Sequence, residues 1–231
     1  MRPLKTARTR TALLGAVIGF ILLVGVGFAF YYLLKPGPGR CVTIDLTSHY
    51  NHELHIGWLP DFNPQNHLAA LPRGRQLFHR IQFDVRGVLQ LQGLDVLRLH
   101  GNYPEAVTNI HIGERCRQLH ILHGTSWPET EGAVIAKLVL HYEGDTEREI
   151  EIRYGEQALD WWCSEVKNGS DPSTQIAWAG ENPVCKRSHK KLRIFQSKFR
   201  NPLSKTPLES VDYVSTVSRS APFLIALTIE K

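Results

Sequence analysis

No acidic residue stands among the first ten positions, and no charged residue of either sign occurs from Thr11 to Leu34. An uncharged run of that kind cannot be the solvated face of a surface helix. It reads TALLGAVIGFILLVGVGFAFYYLL, and as a helix it would span roughly 36 Å, enough to cross a hydrocarbon core of about 30 Å with some tilt. The four cysteines, Cys41, Cys116, Cys163 and Cys185, include no CxxC pair, which argues against a zinc ribbon or a thioredoxin-like site. Helical periodicity is scarce outside the uncharged run, so all-α and doubly wound architectures are poor fits. No GxSxG occurs: Gly124-Thr125-Ser126-Trp127-Pro128 lacks the second glycine, and no helix signal follows it.

The formal charge of +5 hints at a polyanion, but its distribution says otherwise. Arg2, Lys5, Arg8 and Arg10 supply most of it, and the rest of the chain is nearly balanced. Basic residues before the apolar run, and only Lys35 and Arg40 shortly after it, place the N-terminus in the cytoplasm. The expected order is therefore a basic tail (1–10), a transmembrane anchor (11–34), a Pro/Gly spacer (35–40) and an extracytoplasmic domain (41–231). A cleavable signal peptide is the rival, but its apolar region is usually only about 7–15 residues. Gly15/Gly19 and Gly25/Ala29 within the anchor have small-xxx-small spacing, which suits a helix-mediated homodimer.

In an oxidising compartment disulfides persist. Cys116 sits in a strand-like run and reads as a small buried residue. Cys163 and Cys185 bracket the polar segment Ser164–Val184, which has little apolar content to hold itself in place, and they are the expected pair. Closing a loop of that length would stabilise by about 3 kcal/mol in the chain-entropy account.

The domain reads as strands. Val134, Ala136, Leu138, Leu140 and Tyr142 alternate with Ile135, Lys137, Val139 and His141. Glu143-Gly144-Asp145 supplies a turn, and Ile150, Ile152 and Tyr154 alternate with Glu149, Glu151 and Arg153. Further strands are predicted at Val42–Leu46, Leu54–Trp58, Phe83–Leu91, Val107–Ile112, Leu119–His123, around Ile176–Trp178, and at Val211–Ser215 and Phe223–Ile229. Asp61–Arg75 reads as loop. Short strands joined by turn-rich connections define an all-β antiparallel sandwich.

The runs FDVRGVLQL, CRQLHILHG, RYGEQALDWW and FRNPLSKTPLESVDYVSTVSRSAPFLIALTI, in that order, carry a resemblance. They resemble the galactose-binding-like jelly-roll domains, β-sandwiches that serve as carbohydrate-binding modules in exported bacterial proteins. The resemblance implies a jelly roll of about eight strands, anchored in a bacterial inner membrane with the domain in the periplasm or outside the cell. It implies binding by analogy alone, since one fold hosts many functions. No ligand or calcium motif of that family is present, so no functional residue carries over.

Other constellations weaken on inspection. His49, His52 and His55 recur every third position, which on a strand points them to opposite faces. His123 is expected as a hydrogen-bonded core residue, and the acidic residues of the hairpin as a solvated face. Trp161 and Trp162 diverge in an extended chain, so at least one belongs to the core. Trp127 and Trp178 lie in loop-like stretches near Glu129, Glu181 and Asn182, the rings and hydrogen-bonding groups that a sugar site requires. The basic run Lys186–Arg200 would suit an anionic partner, although an outer sheet face explains it as well. The expectation is a non-catalytic binding module without cofactor or metal, its partner a glycan or an envelope protein and not nucleic acid. An envelope scaffold without a sugar ligand is the alternative.

Overall fold

The computed structural model describes residues 39–60 and 63–231. The chain divides at Gly37–Pro38 into two units, and only the second falls within the described residues. The predicted tail, anchor, most of the spacer and the small-xxx-small pairs lie outside them. Among the described residues no helix is long and apolar enough to cross a membrane.

The domain is all-β and antiparallel. Its larger sheet has the core order β10 (Trp162–Cys163), β12 (Lys191–Arg200), β7 (Gln118–Ser126), β14 (Ala221–Glu230), β5 (Gly87–Gln90) and β2 (His52–Glu53). β1 (Cys41–Ile44) adds to β14, and β11 (Thr174–Gly180) adds to β12. The second sheet runs β6 (Ala106–Glu114), β13 (Leu208–Ser215), β8 (Val134–Tyr142), β9 (Thr146–Arg153), and a separate ribbon joins β3 (Gly74–Phe78) to β4 (Ile81–Val85). Two five-residue helices, α1 (Leu94–Arg98) and α2 (Pro183–Arg187), sit in the connections. Fourteen strands are present among the described residues, against the eight or so that the resemblance implies.

The β8–β9 hairpin follows its sequence pattern. Tyr142 pairs with Thr146 across Gly144 and Asp145, whose φ values of 83° and 56° are the positive angles a tight hairpin turn needs. Ala136, Leu138, Leu140 and Tyr142 are buried, while Glu147, Glu149 and Glu151 face water. Ile135 is buried as well, because a register shift at Val134/Ala136 turns it inward.

Two cores flank the large sheet. The first lies between the sheets and joins Leu119, Ile121, Phe195, Leu224 and Leu227 to Leu138, Leu140, Ile152, Val211 and Tyr213. That arrangement is a β-sandwich. The second covers the opposite face: Leu122, Ile194, Phe223 and Ile225 pack against Leu54, Trp58, Leu68, Phe83, Val88 and Trp161. Every residue of β14 is therefore buried, and no alternation of wet and dry survives there.

Two strand predictions are corrected for this reason. Leu54–Trp58 is a turn after the two-residue β2; Leu54 and Trp58 drop into the second core and Ile56 stays 49% exposed. Phe83–Leu91 is broken at Arg86 into β4 and β5, which belong to different sheets. Gln90, a polar residue within that run, is fully buried, and its amide oxygen accepts from Trp58 Nε1 at 2.9 Å.

The first and last strands of the domain are neighbours. Cys41 pairs with Glu230, and the Lys231 amide donates to the Arg40 carbonyl at 3.0 Å. Because β7 and β14 are antiparallel, Gln118 lies beside Glu230 at this end and Ser126 beside Ala221 at the other.

Candidate functional site

The far end of β7 and β14 holds the site. After Ser126 the chain must turn, and Trp127 does so with φ of 66°. Left-handed backbone costs a non-glycine residue about 1–2 kcal/mol, and a following proline disfavours it further. The conformation is held from outside. Asp160 forms a parallel bridge with Thr125, and the Trp161 amide donates to the Thr125 carbonyl at 2.8 Å. The Asp160 carboxylate accepts from the backbone amides of both Trp162 (3.1 Å) and Trp127. One side chain thus ties two turns together and brings Trp127 beside the adjacent Trp161 and Trp162.

These residues line a cleft of about 260 Å³ with Leu59, Asn66 and Leu99. Trp161 is its floor, 1% exposed, with its ring centroid 5.1 Å from that of Trp58 in a tilted pair and 6.1 Å edge-on to Phe223. Trp127 and Trp162 are half-buried walls. Burial pushes the Asp160 carboxyl up to about 6, against the two amide donations and the neighbouring Arg193 and Lys190 cations. It can therefore donate or accept a hydrogen bond near neutral pH. Ser126 Oγ and Trp162 Nε1 are buried in the same walls without a partner. A second cleft of about 450 Å³, with His52, Trp58, His100 and Tyr103, shares Leu59 with the first.

Of the residues singled out from sequence, Trp127 lines the cleft and Asn182 stands behind it. The Asn182 amide donates to Asn66 Oδ1 (3.0 Å) and to the His67 carbonyl (3.1 Å), while its oxygen caps α2 by accepting from Val184 and Cys185. Trp178 does not join them. It packs on the same second core, but from β11, with its ring folded over Gly180. Glu129 is turned to the amides of Thr130 and Arg219, both at 2.8 Å; burial raises its carboxyl, and these donations outweigh that and hold it low. Glu181 is ion-paired to Lys191. Asp160, Trp162, Ser126 and Asn66 were not singled out. Asp160 and Trp162 are two apart and share a face, a spacing that the sequence displayed.

The remaining chemistry is structural. His123 donates or accepts at 2.7 Å with Ser197, which contacts Thr174 at 2.7 Å, and all three are buried. Complete burial pushes the His123 imidazole down to about 3. A serine–histidine pair that no substrate reaches is a core hydrogen bond. Among the described residues no three His, Cys, Asp or Glu side chains are grouped to hold a metal ion. Cys163 and Cys185 are both buried and within electrostatic reach of each other, and in this structure all four cysteines are free thiols.

Compared with protein-family profiles, curated proteins and solved structures, the chain finds no match in any of the three.

Proposed function

We propose that the domain is a non-catalytic carbohydrate-binding module of jelly-roll type, held outside the cytoplasm by an N-terminal membrane anchor. One observation carries the reading: Asp160, a carboxyl that changes protonation near neutrality, lies among the indoles of Trp127, Trp161 and Trp162 in one open cleft. Sugar rings offer apolar faces to indoles and hydroxyls that both donate and accept, and this wall supplies partners for each. A ligand that reached Ser126 Oγ and Trp162 Nε1 would also satisfy two groups whose lack of a partner costs about 1–3 kcal/mol each. Glycosidic hydrolysis ordinarily uses two carboxyl groups, and Asp160 is the one carboxylate among the lining residues. The adjoining cleft across Leu59 gives room for a chain of more than one ring.

The test is glycan-array binding by the full chain and by Trp127→Gly. Glycine relieves the left-handed strain but gives up the packing of a half-buried indole on the second core. The variant should therefore melt below the parent yet remain folded at the assay temperature, while losing glycan binding at least tenfold. A stable variant that binds as well as the parent removes the cleft from the account. A scaffold role is the second reading, favoured by Leu94, Leu97 and Leu99, which α1 and its end leave 38–53% exposed beside the cleft.

A further inference from the structure

One flank of the cleft is basic. α2 is fastened to the loop that supplies Asn66: Asn182 reaches Asn66, and one turn on Arg187 Nη1 donates to Gln65 Oε1 at 3.2 Å. The helix therefore carries Lys186 and Arg187, both exposed, along that side. Just past it, Lys190 contacts Ser164 and acts electrostatically on the Asp160 carboxyl inside the cleft. Beneath them Arg193, 4% exposed, donates to the Asp160 carbonyl (3.0 Å) and the Lys167 carbonyl (3.0 Å), so a buried cation sits under the site with only backbone oxygens as acceptors. Of these cations and Lys191, only Lys191 has a carboxylate ion pair among the described residues. Glu181 acts on Lys186 as well as pairing with Lys191, and Asp160 faces Lys190 and Arg193. The two carboxylates are outnumbered by the five cations, and a net positive flank on an aromatic cleft is a field that selects for negative ligands.

Resting on the carbohydrate reading above, we infer that the ligand is an anionic glycan, its rings against Trp127 and Trp162 and its acidic groups toward Lys186, Arg187 and Lys190. Carboxylated and sulfated sugars share that chemistry. Asp160 in its acid form is compatible with such a ligand, because a carboxylic acid donates to a carboxylate or sulfate oxygen where an ionised one would repel it.

The experiment titrates the full chain, in non-ionic detergent, with polygalacturonate, its fully methyl-esterified form, dextran sulfate, dextran, poly-glutamate and an oligo-dT strand. Polygalacturonate or dextran sulfate should bind at least tenfold more tightly than its uncharged counterpart, and which of the two does so separates carboxylate from sulfate recognition. The preference should weaken as salt rises, collapse in Lys186→Glu/Lys190→Glu, and vanish with all binding in Trp127→Gly. Equal affinity for both acidic glycans and their uncharged counterparts overturns the anionic assignment and leaves the carbohydrate reading standing. If poly-glutamate or oligo-dT binds as tightly as the acidic glycans and Trp127→Gly changes nothing, the flank is a general polyanion surface and the inference fails. Should no glycan of either charge bind, the carbohydrate reading falls with it.

Discussion

Asp160 and His123 show how burial, the largest cause at each, sets opposite pH behaviour at an acid and a base. Asp160 is raised in the folded state, so folding favours its protonated form, and its contribution is lost as pH climbs from about 4 through about 6. The loss is on the order of 2 kcal/mol at neutrality, given the partial exposure of the carboxyl. His123 is lowered, so its folded form is neutral, and that contribution is lost as pH falls from about 6.5 toward 3. Between pH 4 and 6 the two slopes oppose. Asp160→Asn should remove the Asp160 slope alone: equal stability to the parent near pH 4, and a higher urea midpoint by pH 7. A gain of the same size at every pH would show that ionisation is not the cause. His123 was legible in the sequence as a core residue because it sits in an apolar run. Asp160 was not, since an acid beside two tryptophans reads equally as turn and as site until the fold shows what covers it.

At the scale of elements, α2 is too short to hold itself together and depends on its cap. Asn182 serves the helix with its oxygen and the cleft wall with its nitrogen, and the two duties separate by substitution. Asn182→Ser keeps a capping oxygen and drops both bonds to the 66–67 loop. It should cost about 1–2 kcal/mol in melting experiments, at roughly 1 kcal/mol per hydrogen bond, and weaken ligand binding. Asn182→Ala should cost more, since the cap goes too, by about another 1 kcal/mol. Equal losses for the two variants would place the whole effect in the bonds to the 66–67 loop. The hairpin β8–β9 was legible because its outer face is wet and period two shows. β14 was legible as a strand over Phe223–Ile229, but the burial of both its faces was not, nor that of Gln90 in β5, bonded to an indole. Period two does not show where both faces of a sheet are covered. Trp178 was placed at the site as a loop residue, whereas it stands within β11, beside a bulge between Ile176 and Trp178.

For the whole molecule, the uncharged Thr11–Leu34 run and its basic flank set the expected topology. A reporter active only outside the cytoplasm, fused after Lys231, should be active, and its cytoplasmic counterpart silent. The reverse pattern would end the proposed localisation. In the exported chain, non-reducing peptide mapping should then recover Cys163 joined to Cys185, two buried thiols already within electrostatic reach; separate peptides would show that burial alone keeps them. The domain is entered at Gly39–Cys41, against Glu230, and the cleft opens at the opposite ends of β7 and β14. Nine residues of strand separate the two, roughly 25–30 Å at the usual rise. A pull between an N-terminal tether and a ligand seated at Trp127 therefore runs along the strands. It loads the β1–β14 ladder in shear, all of its hydrogen bonds at once, where a pull across the sheet would open them one by one. If the proposed anchor and ligand both hold, tension between them meets the domain in the direction in which its strand ladders resist best.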